Sequence, residues 1–365
     1  MRRSLIFWPI PVKDTFKEAK MTYYISLNDL KGLLEVLKKD YSVYVPVKKG
    51  EQRFYKRYTD FTADIELGEV RPFEPLKAFF SRARERVADD FKSDIPDTKE
   101  KPFAVVGVKA CDLKGFKVQD FVFKDHDFQD PFYIKAREEN LIVSCDCTCA
   151  IGTCFCLSLG IKPYPQEDFD INLSKVEDGF VVEVGSQKGR SLIDRNPSFF
   201  KKPEDKLVTQ KNEQRTKVIK EVEKNIKEYN IPHQDLYKGI IEKGYESGIW
   251  LETSKTCVEC GACNTVCPTC HCFLLYDQKD DENMARLRIW DSCLIKDFAK
   301  VAGGANPRSK LWVRLRNRFE KKFDFFPKVA DVYACTGCGR CISACPAKID
   351  IREVLKRLVA DARGR

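Results

Sequence analysis

Two short runs of cysteine constrain this chain more than anything else in its 365 residues: Cys257-x2-Cys260-x2-Cys263-x3-Cys267-Pro268 and Cys335-x2-Cys338-x2-Cys341-x3-Cys345-Pro346. Thiolates at that spacing take three corners of a cubane, and the fourth, past a short turn, points across to a neighbouring cubane. The crossed ligation assigns Cys257, Cys260, Cys263 and Cys345 to one [4Fe–4S] cluster, and Cys335, Cys338, Cys341 and Cys267 to a second. Gly261, Gly337 and Gly339 let the backbone come close to a cluster, and the proline after each run ends its helical turn. Zinc fits poorly, because structural zinc sites draw on two separated Cys-x2-Cys pairs rather than one run of four used twice. A cubane with four thiolates has no open coordination position, so a pair of them passes electrons rather than binding substrate.

The chain holds 17 cysteines and only three histidines, His126, His233 and His271, so imidazole-rich metal sites are excluded and thiolate chemistry is favoured. A disulfide scaffold suits short secreted chains, which this is not. Cys111 and Cys145 each sit at the C-terminal end of an expected strand, and in a parallel sheet such ends converge on one edge. With Cys154 and Cys156, just beyond Gly152, they form the expected ligand set of a third [4Fe–4S] cluster; zinc or plain buried thiols are the alternatives. Cys147 and Cys149 are substitute ligands or bystanders. Cys270, Cys272 and Cys293 make a candidate fourth site if His271 or a neighbouring subunit completes it; otherwise they are buried thiols that tune the cluster surroundings.

The rest of the sequence frames these sites. A content of 43% hydrophobic and 12% aromatic residues suits packed domains. The fold class expected is an N-terminal α/β domain followed by an α+β dicluster ferredoxin-like domain. Residues 1–204 form the first, 205–252 a helical linker, and 253–365 the second, with an insertion between its two cysteine runs. Helical spacing is expected over Leu27–Lys39 and Leu76–Phe91, strands over Tyr41–Val47, Phe103–Val108 and Leu141–Ser144, and a helix over Leu113–Phe123 capped by Asp112. Met1–Val12 reads as a strand rather than a twin-arginine leader, since Pro9 and Pro11 break the apolar run; a cytoplasmic location follows. No stretch approaches the roughly 20 apolar residues of a membrane span. The charge of +9 mixes both signs. Lys206–Tyr229 reads as a solvated helix face, and the basic runs Lys201–Lys202 and Arg314–Lys322, on expected helices, match no nucleic-acid module. Lys255 and Lys348 are placed to raise a cluster potential slightly.

The stretch Cys257–Cys272 with its CPTCHC segment (Cys267–Cys272), RIWDSC at Arg288–Cys293, VAGG at Val301–Gly304 and CTGCGRC-x3-CPAKID at Cys335–Asp350 resemble the β subunit of cytoplasmic hydrogenases and sulfur reductases, with the anaerobic sulfite reductase A subunit a close relative. The VVGVKACDLKGFK and CFCLSLG segments extend the resemblance upstream. It implies an electron conduit between a flavoprotein subunit that binds FAD and NAD(P)H and a catalytic subunit such as a [NiFe] hydrogenase or a sulfite reductase. The chain shows no G-x-G-x-x-G fingerprint after a strand and no P-loop, so electrons would enter and leave through partners. Two rival readings stand: that the chain itself reduces sulfur or polysulfide at a cluster with a labile position, and that it is a redox-sensing scaffold.

Overall fold

The structure, a computed structural model, describes residues 21–89, 101–280 and 283–363. The expected strand Met1–Val12 lies outside them.

The strands are β1 (Thr22–Ser26), β2 (Ser42–Lys49), β3 (Gln52–Arg57), β4 (Arg84–Asp89), β5 (Phe103–Val108), β6 (Leu141–Cys145), β7 (Ile171–Val176), β8 (Gly179–Val184), β9 (Phe273–Asp280) and β10 (Asn283–Trp290). Seven of them form one sheet in the order β1-β8-β7-β6-β5-β2-β3. The central four, β2, β5, β6 and β7, run parallel, and the antiparallel edges β3, β8 and β1 flank them. The central strands are near-continuous apolar runs because both faces are covered. Ala104, Val106, Leu141 and Val143 face the helix Leu27–Asp40, whereas Val105 and Ile142 face a core with Phe80, Phe116 and Tyr133. A register shift at Gly107, whose φ is +81°, turns Val108 to the same side as Val105.

Three expectations change. Leu76–Phe91 is not one helix: only Lys77–Phe80 is helical, and β4 follows, pairing antiparallel with β10 from the insertion between the cysteine runs. Strong helix formers yield here to a strand partner far along the chain. Asp112 does not cap a helix; its carboxylate is fully buried against Arg340, 2.7 Å away, and accepts from Leu76 N. The helix Asp205–Glu228 forms as expected, but its charged face is not simply solvated: Lys211 and Arg215 reach the buried Glu183 and Arg215 also grips Asp146.

A second core joins the two halves of the chain. Phe155 and Cys156 pack with Trp250, Leu315 and Phe319, and with Val354, Leu355 and Leu358 of the C-terminal helix Ile351–Arg363. Among the described residues no helix is long and apolar enough to cross a membrane.

Candidate iron–sulfur centres

The two cysteine runs fold alike. In each, the third residue has a left-handed backbone, Glu259 at φ +57° and Gly337 at φ +62°, and its amide hydrogen-bonds the thiol two residues earlier, Cys257 or Cys335. In each, a second left-handed glycine, Gly261 or Gly339, starts a four-residue helical turn that carries the third cysteine. The Ile349 amide points at Cys345 Sγ, 3.4 Å away. Amides aimed at sulfur are the hydrogen bonds that help set a cluster potential.

One cavity is lined by Cys257, Cys260 and Cys263 of the first run together with Cys345 of the second, the crossed set that the spacing predicts; Leu294, Leu315, Phe319 and Ile351 form its apolar walls. Cys341 reaches the same wall and also interacts electrostatically with Cys338, Cys267 and Cys263. Cys335 in turn interacts with Cys341 and Cys267, so the second predicted set is also drawn together. Burial pushes the Cys335 thiol up to about 12 and Cys341 to about 11. Such thiols ionise readily only when a cation replaces the proton.

A buried stripe of cations crosses these sites. Arg314, Arg318 and Lys322 recur at four-residue intervals, and all three are buried. Arg314 bonds Glu259 at 2.6 Å and Leu294 O at 3.0 Å. Arg318 Nε donates to Asn264 Oδ1 at 2.9 Å, while its Nη2 has no hydrogen-bond partner; the thiols it feels come from both runs, Cys263 and Cys341 first. Lys322 Nζ lies 3.3 Å from Cys267 Sγ and 2.9 Å from Ala334 O. A hydrogen bond from Cys270 and the Lys322 ammonium hold the Cys267 thiol well below its usual range, against burial. An orphaned guanidinium group in an apolar core is costly unless negative charge faces it. The donor set and this cation therefore fit anionic iron–sulfur groups. Leu315, Phe319 and Phe323 form an apolar stripe beside the cations.

A second thiol-lined cavity lies against the other side of the second run. Cys111, Cys147, Cys149, Cys154 and Cys156 line it, with Arg71, Lys162, Gly337 and Cys338. The expected ligand Cys145 stands apart: the alternation of β6 turns it into the apolar core with Val143 and Leu173. Asp146, gripped by Asn172 (2.9 Å), Ser174 (2.7 Å) and Arg215 (2.7 Å), fixes the turn that brings Cys147 to the cavity instead. Lys109, fully buried just after β5, ties the end of β6 to the segment after β3 through Asp146 O and Leu67 O. Cys149 Sγ lies 3.2 Å from Glu69, which, with burial, pushes its thiol up to about 11.

The two sites touch through backbone. Phe155 N donates to Gly337 O at 2.9 Å, and Arg71 donates to Cys338 O. A Cβ on Gly337 would lie 2.6 Å from Cys156 Cα, and one on Gly339 would strike the Thr153 carbonyl. The second run is thus wedged between the cavity it shares with the first and the cavity of Cys111, Cys147, Cys154 and Cys156.

The third group of thiols does not assemble as one. Cys270 turns toward Cys267 and Lys322, whereas Cys272 hydrogen-bonds Cys293. His271 Nδ1 lies 3.1 Å from Thr269 O, its ring packs on Phe326, and burial lowers its pKa to about 4. Of the other basic residues singled out from sequence, Lys255 and Lys348 have exposed or half-exposed positions away from the buried stripe, and Lys201–Lys202 is not helical.

Comparison with known proteins agrees with this geometry. Residues 256–349 match the family described as 4Fe-4S dicluster domain. Over 315 residues the chain is 31% identical to the sulfhydrogenase 2 subunit beta of Pyrococcus furiosus, covering 86% of this chain and 91% of the relative. The chain belongs to the sulfhydrogenase β-subunit family. The dicluster match falls in the C-terminal part of the chain, and a mixed α/β region precedes it.

Proposed function

We propose that this chain is the iron–sulfur electron-transfer subunit of a multi-subunit anaerobic oxidoreductase, acting in the cytoplasm. It relays single electrons between a flavin- and NAD(P)H-binding partner and a catalytic subunit of hydrogenase, sulfur reductase or sulfite reductase type. The relative named a sulfhydrogenase subunit supports the assembly. The observation that supports the relay is that the second run borders both thiol-lined cavities, with Cys341 and Cys345 on one and Gly337 and Cys338 on the other.

The first site takes Cys257, Cys260, Cys263 and Cys345, the second Cys335, Cys338, Cys341 and Cys267, and the third Cys111, Cys147, Cys154 and Cys156. Bound there, [4Fe–4S] clusters supply one-electron redox chemistry. The chain's own residues do the rest. Amides of Glu259, Gly337 and Ile349 donate to ligand sulfur, Arg318 and Lys322 offset the negative charge, and the apolar walls of the first cavity keep water off its inner side. The α/β domain, 1–204, holds the third site, and 253–365 the other two, with 205–252 bracing them.

The test is anaerobic purification with iron and sulfide quantification and EPR of the reduced protein. About 12 iron per chain supports three clusters and about 8 restricts the relay to two. Cys147→Ser is expected to lose about a third of the iron and Cys145→Ser none; the reverse would reassign the third site. Turnover of polysulfide by the isolated chain with a chemical reductant would replace the relay by the catalytic reading.

A further inference from the structure

The cluster sites account for twelve cysteines. Of the rest, Cys272 and Cys293 are in mutual hydrogen-bond contact and lie beside the relay rather than within it. Cys272 immediately precedes β9 and Cys293 follows β10, so the pair spans the mouth of the hairpin; Asp291 N donates to Cys272 O at 2.9 Å and closes the frame around it. Cys293 is 4% exposed, while Cys272 is half-buried.

We propose that Cys272 and Cys293 form a redox-active dithiol that exchanges two electrons with the neighbouring clusters. The inference rests on the cluster reading above. In the oxidation, a Cys272 thiolate and the Cys293 thiol form an S–S bond and release one proton and two electrons. The electrons leave one at a time through the cluster chain, and the proton leaves by the half-exposed side. Reduction reverses each step with electrons from the same chain.

Three features of the surroundings support this role over that of inert buried thiols. First, Asn264 connects the pair to the relay. Its Nδ2 donates to Cys293 Sγ at 3.2 Å and to Ser292 Oγ at 2.9 Å, its Oδ1 accepts from Arg318, and in sequence it follows the cluster cysteine Cys263. Asn264 is 1% exposed, so the link is fixed rather than solvated. Second, cations stand over the pair. Lys77 Nζ is pinned 2.8 Å from Cys270 O and 3.3 Å from Asn264 O, and lies 4.2 Å from the Trp290 ring centre. Together with Lys321, and chiefly through the hydrogen bond from Cys293, it brings the Cys272 thiol down to about 6, against burial. An accessible thiolate beside a buried thiol is the arrangement that thiol–disulfide chemistry uses. Third, Cys270 is engaged elsewhere, with Cys267 and Lys322, and meets the pair only through Asn264, whose Oδ1 accepts from its thiol at 3.6 Å. A two-electron couple next to one-electron carriers would let the subunit store electrons in pairs.

The experiment poises the anaerobic holoprotein with redox mediators at oxidising and at reducing potential, alkylates it under anaerobic denaturing conditions with N-ethylmaleimide at near-neutral pH, and maps the tryptic peptides by mass spectrometry. Cys293 is the single cysteine between Arg288 and Lys296, and fragment-ion sequencing of its crosslink to the Thr256–Lys279 peptide, which carries six cysteines, identifies which of them is the partner. The expected result is a Cys272–Cys293 crosslink in the oxidised sample and two alkylated thiols in the reduced one. Reductive titration of Cys293→Ser, or of Cys272→Ala if the buried substitution fails to fold, should take up about two fewer electrons per chain with iron content unchanged. Two alkylated thiols at every potential, or loss of iron in either variant, would overturn the proposal. EPR of the same samples separates this from failure of the relay: wild-type protein without [4Fe–4S] signals sinks the relay, whereas cluster signals without a crosslink sink only the dithiol.

Discussion

The two cysteine runs share a spacing and a backbone path, yet they sit in opposite surroundings. The first lies at the surface: Cys260 is exposed, its neighbour Val258 is 63% exposed, and Glu259 occupies the left-handed position with its side chain directed to Arg314. The second is enclosed: Cys335 and Cys338 are buried, Gly337 takes the left-handed position, and the backbone at Thr153–Cys156 presses against it. The motif therefore dictates how sulfur and amides meet a cluster, while the surroundings dictate which residues are tolerated and what the site faces. An exposed run suits the end of a relay, where a partner docks. An enclosed run suits its middle.

This contrast can be broken most forcefully at the left-handed position. Writing the residue of the first run into the second, Gly337→Glu, adds a side chain against Cys156 Cα, and the expected cost is about 3 kcal/mol or more. The reciprocal Glu259→Gly should fold normally. Holoprotein yield and thermal midpoints would compare the two; equal tolerance would remove the distinction. Next in size are the ion pairs beside each run. Asp112→Asn leaves the fully buried Arg340 without its carboxylate and should cost about 3–5 kcal/mol. Glu259→Gln leaves Arg314 its carbonyl partners Leu294, Arg308 and Ser309, and should cost about 1 kcal/mol or less. Chemical denaturation would measure both.

Cluster potentials sharpen the comparison further. Removing a buried positive charge disfavours the more negative, reduced state, so Lys322→Met and Arg318→Gln should both lower midpoint potentials in EPR-monitored titration. Lys322→Met should act mainly on the enclosed site, to which we assign Cys267, and Arg318→Gln, which lies among cysteines of both runs, on the two together. A rise in either variant would contradict the charge-offset role. The smallest effects belong to Lys255→Gln and Lys348→Gln, whose solvated charges are screened; their shifts should be well below those of the buried pair.

The ligand runs and the parallel strands were legible in the sequence because both are governed by local rules: sulfur spacing for one, uninterrupted apolar runs for the other. What was not legible depends on contacts made far along the chain. Arg314–Lys322 reads as a basic run on a helix, but charge alone does not reveal that thiol-rich sites lie opposite it. Asp112 had the position of an N-cap, and only Arg340, in the second run, explains its burial. Cys145 is the ligand that the strand end suggests and Cys147 only a substitute, but the register of β6 puts Cys145 in the apolar core and the turn at Asp146 delivers Cys147 to the cavity. The surface-helix reading of Asp205–Glu228 missed Arg215 for the same reason: its partners come from β8 and from the turn after β6.

The pairing of β4 with β10 bears on how this molecule can be made. Arg84 finds its ladder partner in Ile289, so a strand near the N-terminus waits unpaired while most of the chain is synthesised. Contacts of such sequence separation form slowly, and an unpaired edge invites association with other strands in the meantime. A gene cut between the halves would leave each product with an open ladder, so the ferredoxin-like part is not a detachable module: it is completed by a strand that the ribosome delivers first.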